Sequence, residues 1–230
     1  MARGALMLNR PQMLRALPKH VFFAALSGAI AGFILYFLNQ IELEGQWNLL
    51  MALPIGAIYV NAAMMPLAIP GRHWSFGFIG AMLMFLLMIV GAILSRKFAF
   101  PHSREFEWIN PNVNTATFEF ILSGGCLGLF YGMLCGRSSA MIVGTAVGSA
   151  MGFVLGIYSR ELVNSGFFNE HGLILTFDHL AGNWRYNSPL HFAWQLAAAM
   201  ALLHLGACLG AAMGAGPAPA NPQSEIRNPK

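Results

Sequence analysis

The side chains of this sequence that could do chemistry fall into two sets. The first is a serine with candidate bases. Ser123 lies in the run Leu122-Ser123-Gly124-Gly125-Cys126-Leu127-Gly128-Leu129. A serine hydroxyl becomes nucleophilic when a neighbouring base takes its proton, and His191 and His204 are the candidates for that base. The second set is Asn61, His204 and Glu119, polar residues that interrupt long apolar runs. A polar side chain at membrane depth is costly, so it is expected to face protein and to mark a binding or transport path. Asn61 and His204 should lie at comparable depth, where they would hydrogen-bond to one another or line such a path together. A tetrapyrrole-ligand role for His204 is a further alternative. Cys126 and Cys135 are nine residues apart, on opposite faces of one helix, and Cys208 stands elsewhere, so the cysteines read as small core residues. No metal site and no cofactor are expected.

The elements that must position these groups are set by composition. Of 230 residues, 57% are hydrophobic and only 10% charged. A soluble domain carries roughly 25% charged residues, so this chain cannot cover a globule of its size with polar groups. Lipid must be its main solvent. A spanning helix needs about 20 apolar residues, and six runs qualify: 20–38, 49–69, 74–94, 117–136, 139–158 and 190–213. They are continuously apolar, which excludes the alternation of a membrane barrel. The expected fold is all-α, a polytopic bundle of six transmembrane helices.

The domain organisation follows. Residues 1–19 form a basic N-terminus, 20–213 the transmembrane domain with outer loops 95–116 and 159–188, and 214–230 a Pro-rich tail expected to be disordered. The first apolar run is too long for a cleaved leader, and Asn39-Gln40-Ile41-Glu42 is no small-residue cleavage site. With the N-terminus inside, eight of the thirteen cations (Arg3, Arg10, Arg15, Lys19, Arg72, Arg137, Arg227 and Lys230) fall on the cytoplasmic side. Both termini are therefore expected in the cytoplasm, with the chain in a plasma or inner membrane. The short connections leave no room for a nucleotide-binding domain, and no nucleic-acid partner is expected.

Glycine is enriched and ordered. Thirteen of the twenty-five glycines are spaced by four: Gly28 and Gly32 in helix 1, Gly124, Gly128, Gly132 and Gly136 in helix 4, Gly144, Gly148, Gly152 and Gly156 in helix 5, and Gly206, Gly210 and Gly214 in helix 6. Four residues turn a helix by about 400°, so each set drifts round one face. Such faces let backbones approach closely in lipid, predicting tight packing of helices 1, 4, 5 and 6, and offering surfaces for protein partners or a homo-oligomer. A second pattern links the halves: Phe22, Leu26, Ser27, Gly28 and Gly32 recur in register as Phe118, Leu122, Ser123, Gly124 and Gly128. A three-plus-three duplication would place the halves in opposite orientations, an inverted repeat.

The Ser123 motif, on the fourth of six helices, resembles the serine motif of rhomboid intramembrane proteases. That resemblance covers about a dozen residues and implies a dyad of Ser123 with His191 or His204. Ile121 stands where that family has glycine, and helix 2 lacks its histidine–asparagine pair. The leading expectation is a non-enzymatic multi-pass membrane protein, either a small transporter or permease or a membrane subunit of a larger complex. A rhomboid-like protease, or an inactive relative, is the alternative.

Overall fold

The computed structural model describes residues 8–39, 47–71, 77–87, 89, 111–164 and 189–216. Within them the chain is all-helical: α1 (Arg10–Asn39), α2 (Trp47–Gly71), α3 (Gly77–Leu87), α4 (Pro111–Cys135), α5 (Ser138–Asn164) and α6 (Pro189–Gly214). Three stretches, Arg10–Leu38, Ser138–Gly156 and Ala193–Gly214, are long and apolar enough to cross a membrane, while Gly56–Ala68, Gly77–Leu87 and Phe120–Cys135 are shorter apolar helices. Their exposed side chains include Phe22, Ile30, Phe78, Met82, Ile142 and Val154, surfaces suited to a lipid bilayer rather than to water. The outer-loop segments 95–110 and 165–188 and the tail beyond 216 lie outside the described residues.

Helix α1 begins ten residues before the apolar run does. Asn9 caps it: its Oδ1 accepts the Gln12 N–H at 3.0 Å, and Gln12 Oε1 accepts the Asn9 N–H at 3.0 Å. This reciprocal pair satisfies two orphan donors of the first turn. Residues 10–19 of the basic N-terminus are thus helical and continuous with the apolar run, because a helix need not stop where its apolar surface stops.

One end of the bundle is assembled from mutual caps. The last carbonyls of a helix have no partner within it, and here other segments supply one. The Leu8 N–H donates to Leu134 O at 2.8 Å. Ser139 Oγ donates to Gly214 O at 2.7 Å, and the Arg137 guanidinium donates to Ala215 O. The start of α1, the turn between α4 and α5, and the end of α6 therefore share one end, together with Arg10, Arg15, Lys19 and Arg137. That turn needs only Gly136 and Arg137 between its helices, because Gly136 adopts φ 63°, a left-handed conformation that glycine reaches without steric cost.

Helices α4 and α5 pack as an antiparallel hairpin in a register fixed by their small residues. A methyl group built on Gly124 would overlap the Gly148 carbonyl, one on Gly128 the Gly144 carbonyl, one on Gly132 the Met141 backbone, and one on Gly152 the Phe120 carbonyl. These four rungs fall every four residues along α4 and at 152, 148, 144 and 141 along α5, where the last step is three residues. Helix α6 lies against α5 through Gly206 on Met151 and Gly210 on Val147. Helix α1 lies against α6, where Gly28 leaves only 2.6 Å between an added Cβ and Leu196 O. The glycine faces of α4, α5 and α6, and Gly28 of α1, thus meet neighbours within the chain.

Gly128→Ala is expected to destabilise the fold by about 1–3 kcal/mol, the usual cost of overpacking, because the obstacle is backbone that cannot rotate away. Ala146→Leu, at an exposed position of α5, is expected to change stability by less than about 0.5 kcal/mol. Reversible unfolding in mixed micelles checks both values.

Candidate functional site

The polar side chains of the interior converge on α2, and the reason lies in its prolines. A proline has no N–H, so it leaves the carbonyl four residues earlier without its helical donor. Pro66 frees the carbonyl of Ala62, and Pro70 frees that of Pro66. Away from water each such carbonyl needs a donor from elsewhere. Ser27 of α1 donates its hydroxyl to Ala62 O at 2.7 Å, while also lying 3.0 Å from Ala24 O of its own helix. His20 of α1, seven residues earlier on the same face, places Nδ1 3.3 Å from Pro66 O. The carbonyls freed by Pro66 and Pro70 are thus both met by α1.

His204 of α6 reaches α2 from the other side. It is fully buried, with Nε2 2.7 Å from Ala63 O and Nδ1 2.9 Å from the Tyr131 hydroxyl. A carbonyl only accepts, so Nε2 carries the ring proton toward Ala63, and the tyrosine hydroxyl donates to Nδ1. Tyr131 of α4 stands between the two histidines, edge-on to both, with ring centroids 5.2 Å from His20 and 5.8 Å from His204. About two turns along α4, Ser123 accepts a hydrogen bond from Tyr59 of α2 at 3.1 Å. The assembly is a seam of His20, Ser27, Tyr59, Ser123, Tyr131 and His204 around one stretch of α2.

The expected pairing of Asn61 with His204 does not form. Asn61 lies on the exposed side of α2, where its amide donates to Ala57 O of the same helix at 2.8 Å. Asn61 and Ala63 are two residues apart, a turn of about 200°, so the helix presents the carbonyl of Ala63 to His204 and carries Asn61 away from it. The expected dyad of Ser123 with His204 is likewise not assembled here, since Ser123 faces Tyr59 and both ring nitrogens of His204 are engaged by Tyr131 and Ala63. An axial-ligand role for His204 would have to displace one of those bonds. The side chains of Glu119 and His191 lie outside the described residues. Cys126, Cys135 and Cys208 are all buried with free thiols. The first two occupy opposite faces of α4, which is enclosed on both.

His20, Ser27, Tyr59 and Tyr131 are absent from the set that sequence reasoning singled out. The signal that leads to Ser27 and His20 is the proline spacing of α2, which states in advance which carbonyls need outside donors. Compared with models of protein families, with curated proteins and with solved structures, the chain shows no significant match.

Removing the Ser27 hydroxyl leaves Ala62 O without its donor, so Ser27→Ala is expected to cost about 1–3 kcal/mol. Pro66→Ala restores an N–H at position 66. In that background Ser27→Ala should cost less than half as much, and a double-mutant cycle on the unfolding free energy measures the coupling.

Proposed function

We propose that this chain is a non-enzymatic, six-span membrane protein that serves as the membrane-embedded subunit of a larger assembly. The observation that carries the reading is the closed polar interior. His204, a fully buried side chain of the seam, has both ring nitrogens bonded to the protein's own groups. Groups committed in this way hold helices in place rather than act on a substrate. The exterior points the same way, with large apolar side chains on α1, α3 and α5 facing outward.

The proposed topology has both termini in the cytoplasm. It is supported by the gathering of Arg10, Arg15, Lys19 and Arg137 at the end shared by α1, the α4–α5 turn and α6. An inverted three-plus-three repeat is part of the same proposal. The matching Ser-Gly motifs lie on α1 and α4, which run in opposite directions, and both serines turn to α2: Ser27 to Ala62 O and Ser123 to Tyr59. Both motif glycines, Gly28 and Gly124, meet the backbone of another helix.

Transport is the second reading, and the α2 carbonyls favour it. Transporters place proline-interrupted helices at their binding sites, where freed carbonyls coordinate the cargo. For α2 to serve in this way, Ser27 and His20 must let go of Ala62 O and Pro66 O in a second state.

Native mass spectrometry after mild extraction tests the leading reading. Assemblies heavier than one 25.0 kDa chain are expected, and a single chain in every lipid and detergent environment would overturn it. Ser27→Cys separates the two readings. The subunit reading expects this thiol to resist a membrane-impermeant maleimide as fully as the three buried native cysteines do, whereas steady labelling in intact vesicles would favour transport.

A further inference from the structure

Asn61 is the polar residue that the interior leaves aside. It lies 14 residues from Trp47 and 10 from Gly71, so about 21 Å and 15 Å of helix separate it from the two ends of α2. A carboxamide is too short to reach water over such lengths in lipid, and an amide in hydrocarbon without partners is costly. One of its N–H groups donates to Ala57 O. Among the described residues, Oδ1 and the second N–H meet no partner.

The geometry of α2 defines what surrounds this group. Ala62 and Pro66 turn toward α1, and Met64 and Ala68 turn toward α3, against Gly77 and Gly80. Asn61 lies between these two directions on the outward stripe of the helix. Along the same stripe Pro54 is exposed and Ile58 and Met65 are half-buried, so the amide stands in an otherwise apolar surface. The flanking helices present apolar side chains such as Ile30 and Met82. The glycine faces that would otherwise receive a partner helix meet neighbours inside the chain.

We propose that the stripe around Asn61 is the docking surface for a second copy of this chain, related by a two-fold axis that passes beside the two Asn61 residues. A carboxamide is its own complement: the second N–H of each copy donates to Oδ1 of the other, giving two identical hydrogen bonds across an isologous contact. Any other chain would have to carry a matched polar group at the same depth, whereas a second copy carries it by construction. This inference rests on the reading of the chain as part of an assembly and names its partner.

The test counts copies of the full chain, labelled at its C-terminus, by single-molecule photobleaching in phosphatidylcholine–phosphatidylglycerol liposomes over a range of protein densities. Two-step bleaching is expected for the native chain. Asn61→Leu should weaken the dimer about tenfold, since two interhelical hydrogen bonds are lost, while Asn61→Gln, which keeps a self-complementary amide, should retain most of it. Because the residue is exposed, the leucine variant should unfold at or above the native temperature, which separates lost pairing from lost folding. One-step bleaching of the native chain at every density overturns the proposal, as does a dimer that Asn61→Leu leaves unchanged. Native assemblies holding one copy of this chain with a different protein also overturn it, and leave the subunit reading standing. A chain that is single in both experiments overturns both.

Discussion

In a bilayer core there is no water to hydrogen-bond a stray carbonyl, so every backbone group must be satisfied by the protein itself. A helix meets that demand without help until a proline removes one of its donors. Helix α2 contains Pro66 and Pro70 four residues apart, and each strips the carbonyl one turn before it. The arrangement of α1 follows from this. Its Ser27 and His20 must lie on the face turned to α2, at the heights of Ala62 and Pro66, and they do. His204 adds a third tie, from α6 to Ala63. A helix weakened along its own axis is thereby fastened to two neighbours.

The other half of the bundle obeys a different rule. Between α4 and α5 the contact is backbone on backbone, with glycine carbonyls occupying the space that a side chain would take. Lipid tails are as apolar as leucine, so burial alone gives helices little reason to associate there, and close dispersion contact takes its place. Around α2 the filling is large instead: Tyr59, Met64 and Leu67 are fully buried on it, and Tyr131 and Leu203 on its neighbours. Bulky side chains hold those backbones apart, so specific hydrogen bonds fix the register that glycine fixes elsewhere. The fold thus joins a close-packed hairpin to a hydrogen-bonded helix, with α6 touching both.

How much of this was legible depended on whether the signal lay in spacing or in azimuth. The glycines of α4 and α5 recur every four residues, and the contacts between the two helices recur at the same interval along α4. The apolar runs located the helices, but α1 starts earlier than its run because Asn9 and Gln12 form a capping box. That motif stood in plain view, obscured by the charges beside it. Asn61 lies two residues from Ala63, the residue whose carbonyl His204 reaches, yet Asn61 and His204 do not meet. Depth follows from counting residues, whereas direction depends on which neighbour the helix turns toward. The partner His204 does find, a backbone carbonyl, has no residue type that a scan of side chains would notice.

That distinction bears on Ser123 as well. Its motif and that of Ser27 share leucine, serine and glycine in the same order, and a reading by residue type would assign both to one role. Their partners differ in kind. Ser27 donates to a carbonyl that lacks its helical donor, while Ser123 accepts from a phenol. A nucleophilic serine needs a base positioned to take its proton, and His204, the candidate base in the described interior, has both ring nitrogens engaged by Tyr131 and Ala63. The bond from the tyrosine hydroxyl to Ser123 ties α4 to α2, just as Ser27 ties α1 to α2. In both cases the glycine that follows admits another helix, so that one short motif brings a hydroxyl to α2 and a close backbone contact to a third helix at the same level of the bundle.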